Sequence, residues 1–299
     1  QALAMAGEAA RGATLYVTLE PCNHWGQTPP CSDAVVAAGI ARVVIGLVDP
    51  DPRTAGESIK RFNAEGIETA VVGHVPSLRL HEGFVSRVGL GRPFVTVKLA
   101  VSADGMIGRR DRAQVPITGD TAQRWTHMQR ALSDAVMVGG ATANLDNPQL
   151  TVRLPGLGLR TPRRLVLAGH EPLGQDLTLF LNAPGHPVAV IGPADSKVPA
   201  GIAVWTPADP SLPAVMKLLA THGISRLLVE GGAKLVEALL SSGLVDRFHL
   251  LQSQATIGEG GVEATAEGSM TARLHSAALR EVDQRPLGDD MLTSFERQA

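Results

Sequence analysis

Apolar positions in the first quarter of the chain follow two rhythms. "TLYVTL" (14–19) and "ARVVIGLV" (41–48) are short runs of the kind that form strands, while "CSDAVVAAG" between them has helical spacing. Ser32 or Asp33 is expected to cap that helix, and Gly39 to end it. "ESIKRFNAEG" predicts a second helix closed by Gly66, and "IETAVVG" a third strand. The sum is a βαβαβ layout with a mostly parallel sheet. A helix carrying Leu80 and Phe84 follows. After it, the Gly- and Pro-punctuated "VGLGRP" predicts a boundary between a first domain at 1–90 and a second at 91–299.

A new sheet opens with "FVTVKLAVSADG", where Val95, Val97, Leu99 and Val101 alternate with Thr96, Lys98, Ala100 and Ser102. One face is apolar and the other polar. Further strands are expected at "DAVMVGG", "RRLVLAG", "HPVAVIG", "SRLLVEGG" and "VDRFHLLQSQA", with helices around 122–132, 212–222 and 233–241. This is a second α/β domain, and no internal repeat or low-complexity tract interrupts it.

Composition narrows the function classes. With 299 residues and 44% apolar content, about two domains can each bury a core. The 27 basic and 29 acidic residues are mixed along the chain and only 3% of residues are aromatic, which speaks against a nucleic-acid partner. The most apolar stretch, 34–48, is too short to cross a bilayer, and the opening "QALAMAGEAA" is no secretory signal. A cytoplasmic protein is expected. That opening also reads like the middle of a helix without a cap, so residues upstream are expected to be missing.

Both cysteines, Cys22 and Cys31, fall within "EPCNHWGQTPPC". One follows a strand and the other opens a helix, so the two thiols are candidates for one zinc ion; taken alone, they read equally well as two small buried residues. Zinc-dependent nucleobase deaminases pair a His-x-Glu with a Pro-Cys…Cys, and Pro21-Cys22 supplies the second half. The run from Thr18 to Cys31 closely resembles the deaminase domain of the bifunctional riboflavin-biosynthesis deaminase/reductase family. The resemblance continues through "AAGIARVVIGLVDPDPR", "RPFVTVKLAVSADG", "DNPQLTVR" and "VEGGAKLVEALLSSGLVD", in the family's order and over nearly the whole chain.

The resemblance implies a truncated cytidine-deaminase-like domain followed by a dihydrofolate-reductase-like domain. It implies zinc at Cys22 and Cys31 and a substrate-pocket role for His24. The family's third ligand and proton shuttle, a His-Ala-Glu, would precede Gln1 and are not in this chain. Gln27 stands where the family often carries Lys or Arg. In the second domain the resemblance implies NADPH as hydride donor, with Lys98 and Glu230 catalytic. Ala100, Thr142, Asp146, Gly231, Gly232, Ala233 and Lys234 would contact the cofactor. Arg130, Leu150, Arg153 and Glu230 would contact a phosphorylated ribosylaminopyrimidine, and a homo-oligomer is expected. Without the resemblance, Arg130 and Arg153 would read as surface charges and Thr142 as a helix cap. Two departures put cofactor contacts in question: Gln114-Val115-Pro116 replaces Ser-x-Trp, and Ala168-Gly169 replaces an Asp-Ser-like pair. A different reading keeps only the reductase active and makes the first half a packing module. A general nucleobase or tRNA deaminase leaves everything from Phe94 onward unexplained.

Overall fold

The structure is a computed structural model that describes residues 1–111, 115–169, 171–266 and 268–298. The chain divides into two compact units, Gln1–Gly91 and Arg92–Ala299. Among the described residues, no helix is long and apolar enough to cross a membrane.

The first unit runs α1 (Ala2–Ala6), β1 (Thr14–Val17), α2 (Cys31–Ala37), β2 (Arg42–Ile45), α3 (Glu57–Ala64), β3 (Glu68–Val71) and α4 (Val75–Gly89). Its strands lie in the order β1-β2-β3, and both pairings are parallel. Val43 and Ile45 of the central strand are fully buried in one cluster with Val35, Phe62 and Ile67. The edge strand β1 leaves Tyr16 73% exposed. Gly39 and Gly66 end their helices with φ of 65° and 76°, a left-handed backbone that only glycine adopts freely. The expected cap at Ser32 or Asp33 does not form. Helix α2 starts at Cys31 with Pro30 at its N-cap and no side-chain cap. The Ser32 hydroxyl instead donates to Asn23 Oδ1 at 2.7 Å, and Asp33 accepts from Arg61 at 2.5 Å.

The second unit runs β4 (Phe94–Val101), β5 (Met106–Arg109), α5 (Asp120–Ala131), β6 (Ala135–Gly139), α6 (Gly140–Asp146), β7 (Arg163–Leu167), α7 (Thr178–Leu181) and β8 (Val188–Ile191). It continues through β9 (Ala203–Trp205), α8 (Leu212–Thr221), β10 (Arg226–Val229), α9 (Ala233–Ser241), β11 (Arg247–Gln252), β12 (Gly261–Glu263), α10 (Met270–Ser276), β13 (Leu279–Leu287) and β14 (Asp290–Arg297). Nine strands form one sheet in the order β13-β14-β11-β4-β10-β6-β7-β8-β9. All pairings from β11 to β9 are parallel, and the C-terminal hairpin of β13 and β14 joins antiparallel. Strands β6, β7 and β8 contribute buried residues to cores on both faces of the sheet, which accounts for the apolar runs of β6, β8 and the second half of β7, although β7 opens with Arg163 and Arg164. Strand β4 alternates instead, with Val95, Val97, Leu99 and Val101 buried and Lys98 only partly covered.

Chain order and sheet order differ at one place that matters. From β4 the chain skips a position to β6, runs outward to β9, and returns through α8 to lay β10 in the gap. Val229 of β10 pairs with Val97 on one side and Met137 on the other. The next residues, Glu230 to Gly232, therefore emerge between the ends of β4 and β6.

Packing in the first unit yields a direct test. A Cβ added at Gly46, just beyond β2, would lie 2.5 Å from Ser77 Oγ and 2.7 Å from the carbonyl oxygen of Thr18. Gly46→Ala is expected to destabilise this unit by about 1–3 kcal/mol, the usual range for overpacking. A lowered urea midpoint for its unfolding would show this, and an unchanged midpoint would mean that the β1–α4 region yields freely.

Candidate active site

Parallel strands place their C-terminal ends, and the loops that follow, along one edge of the sheet, where α/β folds bind ligands. Here that edge carries a cleft of about 950 Å³ lined by Lys98, Arg130, Gly139, Thr142, Glu230 and Gly232 among others. Glu230 stands one residue beyond the Val97–Val229 pair, which brings it level with Lys98.

The cleft floor is a buried ion pair. Arg130 Nε donates to Glu230 Oε1 at 2.5 Å and Nη2 to Oε2 at 2.8 Å, while Nη1 donates to the Thr151 carbonyl at 3.0 Å. Each of the two side chains is only 12% exposed, so Arg130 is not the surface charge that its sequence context alone suggests. Burial pushes the Glu230 carboxyl up, but Arg130 and then Lys98 outweigh it and hold the group below its ordinary range. Burial also pushes the Lys98 ammonium down, with Arg130 adding to the effect and Glu230 and Asp290 opposing it. Asp290 accepts the backbone N–H of Gly119 at 2.8 Å and so anchors the start of α5.

His127, one turn before Arg130 on α5, drew no attention from the sequence. It is buried, lines the cleft, and its Nδ1 lies 3.1 Å from the Thr151 carbonyl and 3.4 Å from the backbone N of Arg153. Burial, then Arg130 and Arg153, push its ring below the usual value and favour the neutral form. Its sequence signal was the i,i+3 spacing from Arg130. Arg153 itself is exposed at the cleft, and among the described residues its guanidinium has no hydrogen-bond or ion-pair partner. Burial and then Arg130 push it down.

On the other side, two helices begin at the cleft. Helix α6 starts after Gly139 and α9 after Gly232, and neither has a side-chain cap, so their first amides face outward unclaimed by side chains. Thr142 is not a cap: it lies inside α6, and its Oγ1 accepts the backbone N–H of Gly232 at 3.2 Å, joining the two helix starts. Ala100, Asp146, Gly231, Ala233 and Lys234 also line this part. Burial pushes the Asp146 carboxyl up. Val115, Pro116, Ala168 and Gly169 border the same cleft, while Gln114 lies outside the described residues. Leu150 does not reach the cleft with its side chain: it is 2% exposed and belongs to the core beneath, with φ of 55°.

In the first unit, Cys22 Sγ accepts the backbone N–H of Cys31 at 3.2 Å, so the loop does bring the two thiols together. Cys31 is exposed and Cys22 partly so, which removes the reading of two buried small residues. Burial and the neighbouring Cys22 push the Cys31 thiol up, so the helix start alone does not make it a thiolate. His24 does not join them; its Nδ1 lies 3.1 Å from Thr54 Oγ1. Among the described residues, no group of three or more His, Cys, Asp or Glu is placed to hold a metal ion. The donor set thus fits zinc in part, with two of the four positions a tetrahedral site needs. Buried Glu20, passed over in the sequence, accepts from Asp49 N at 3.3 Å, Gly56 N at 3.0 Å and Ser58 Oγ at 2.8 Å, fixing the start of the cysteine loop.

The chain is similar to known proteins along most of its length. A family model described as the RibD C-terminal domain matches residues 93–293, and the cytidine and deoxycytidylate deaminase zinc-binding region matches residues 1–47. The chain is 33% identical over 306 residues to riboflavin biosynthesis protein RibD of Aquifex aeolicus (strain VF5), covering 99% of this chain and 84% of that protein. With RibD of Escherichia coli (strain K12) it shares 36% identity over 267 residues, 83% of this chain and 72% of the relative. The solved structure of RibD from Acinetobacter baumannii is similar with a TM-score of 0.86 at 30% identity, covering 100% of this chain and 84% of that one. With a deaminase region and a RibD C-terminal domain matched in that order, the chain belongs to the RibD family of riboflavin biosynthesis proteins.

Proposed function

We propose that residues 91–299 form a reductase that converts the ribosyl group of 5-amino-6-(5-phosphoribosylamino)uracil into a ribityl chain, and that residues 1–90 form the cysteine-bearing part of a pyrimidine deaminase. The observation that carries the first half is the buried Arg130–Glu230 pair with the partly covered Lys98, facing two uncapped helix starts in one cleft.

NADPH fits the side of the cleft where α6 and α9 begin; when bound it supplies the hydride for the sugar's C1. Amides at a helix start attract phosphate, and Gly231 and Gly232 keep that backbone open to close approach. Arg153, unpaired among the described residues and lining the cleft, takes the substrate phosphate with its two-pronged guanidinium. Arg130 is already committed to Glu230, so its part is to orient that carboxylate rather than to bind phosphate. Glu230 accepts hydrogen bonds from the substrate's ring or sugar. Lys98, with its ammonium made easier to deprotonate by burial, delivers the one proton that must accompany the hydride.

The proposal extends to the first unit with one qualification from its own residues. Cys22 and Cys31 would be two zinc ligands, and zinc would acidify a water for attack on the pyrimidine ring. No His-x-Glu occurs in the 299 residues, and His24 is turned to Thr54. That observation favours a second reading, in which this chain reduces only and the cysteine-bearing unit serves as a packing module. A cytoplasmic homo-oligomer completes the reading; two free thiols suit a reducing compartment.

Steady-state NADPH oxidation, with NADPH binding followed separately by fluorescence, tests the cleft. Arg153→Ala is expected to raise KM for the phosphorylated substrate about ten- to hundredfold, the loss of one charge-assisted bond. Lys98→Ala and Glu230→Gln should each lower kcat by roughly a hundredfold with little change in NADPH affinity. The wild-type kcat should fall as pH rises through the lowered Lys98 value, and Lys98→Ala should lose that limb. Gly232→Ala adds a Cβ 3.1 Å from Thr142 Oγ1 and should weaken NADPH binding. Wild-type turnover in both Lys98→Ala and Glu230→Gln would place the chemistry elsewhere.

Metal analysis tests the first unit. The purified chain is expected to lose zinc readily to a chelator and to show no pyrimidine deamination; stoichiometric, chelator-resistant zinc would overturn this and return attention to His24. The division of labour near residue 90 is testable by limited proteolysis. The first cut is expected around the exposed Leu90 and left-handed Gly91, and a dominant first cut within 95–150 would count against that division.

A further inference from the structure

The segment between α6 and β7 is held in an unfavourable backbone. Three described residues other than glycine have positive φ, and two of them, Asn147 at 42° and Leu150 at 55°, lie in this one loop. A left-handed side-chain-bearing residue costs of order 1 kcal/mol or more and persists only where surrounding contacts over-determine it. The loop leads directly to Thr151, whose carbonyl takes a bond from Arg130, and to Arg153 at the cleft.

One of the contacts is unusual. Arg164, on the buried strand β7, is 0% exposed and has no carboxylate partner among the described residues. Its Nη1 donates to the Gln149 carbonyl at 3.3 Å, its Nη2 donates to the His186 carbonyl, and its Nε has no hydrogen-bond partner. Burial pushes this guanidinium down to about 10. A buried, unpaired cation is costly, and a leucine or methionine would fill the same space without that cost. What the guanidinium provides instead is a fork that reaches two carbonyls at once, one of them immediately before the strained Leu150. Thr161 Oγ1 assists by accepting Val152 N–H at 3.0 Å, and Asn147 Oδ1 accepts Thr178 N–H at 2.7 Å.

We propose that Arg164 is a positioning residue for the substrate-phosphate contact: from within the core it pins the strained 147–153 loop so that Arg153 stands fixed at the cleft. The inference rests on the reading of Arg153 given above. It assigns Arg164 no contact with substrate or cofactor.

The test is a double-mutant cycle in the full chain, using Arg164→Met and Arg153→Ala, with Arg164→Lys as a milder variant should the methionine fail to fold. Arg164→Met is expected to raise KM for the phosphorylated substrate about tenfold, since small misplacements of a binding group carry effects of this size. NADPH affinity should stay within about twofold. In the Arg153→Ala background the same change should add less than about twofold, because the group being positioned is gone. Amide hydrogen exchange at 150–153 should quicken while the amides of α9 stay protected. An equal rise of KM in both backgrounds, or unchanged exchange at 150–153 in a folded variant, would overturn the proposal. If Arg153→Ala alone leaves KM unchanged, the phosphate reading fails, and hydrogen exchange still decides whether Arg164 holds the loop.

Discussion

The Arg130–Glu230 pair is the constraint on which the second unit's cleft depends. Two opposite charges sit at 12% exposure, joined by two parallel hydrogen bonds. Neither would tolerate that depth alone: removing one member of such a pair costs about 3–5 kcal/mol, chiefly because the other is left buried and unpaired. The pair also draws in its neighbours. Burial lowers both Lys98 and His127, with Arg130 adding to the effect and Glu230 opposing it in each, and Thr151 is held by the third arm of Arg130. Chemistry and architecture therefore share one electrostatic unit, in which polar groups act strongly because water is excluded.

The first unit solves a comparable problem with backbone amides. Glu20 is buried with no cation partner among the described residues and takes two backbone N–H groups and a hydroxyl instead. Those bonds span from the end of β1 to the start of α3. They fix where Pro21 and Cys22 leave the strand, while Asn23, Ser32, Asp33 and Arg61 tie the loop to α2 and α3. The two thiols are thus set by a carboxylate and an amide that carry no metal chemistry of their own.

The sequence made most of the sheet legible because burial writes itself into side-chain periodicity. Val95 to Val101 alternate, and β6, β8 and the second half of β7 are apolar because both faces are covered. The C-terminal hairpin escaped notice for the opposite reason: β13 is exposed from Arg280 to Pro286, so its polar residues carry no strand rhythm, although Gly288 with φ of 68° marks the turn. Contacts between distant elements were harder still. Thr142 bonds to Gly232, and His127 meets Thr151 and Arg153, through relations that no local spacing encodes. Ser32 or Asp33 suits a cap by its local chemistry, but tertiary partners claim both. Arg164 looked like any polar residue at the start of a strand, and only its burial reveals what it holds.

The late insertion of β10 between β4 and β6 also bears on how the chain acquires its fold. Glu230 and Arg130 are 100 residues apart in sequence, and β4 gains its inner neighbour only after β6 to β9 have been made. During synthesis, β4 therefore has neither of its sheet neighbours, β10 and β11, β6 lacks one of its two, and Arg130 lacks Glu230. Non-local parallel pairing of this kind is slow, because loop closure must precede any stabilising contact. Until β10 and β11 arrive, those strand edges are open to capture by another copy.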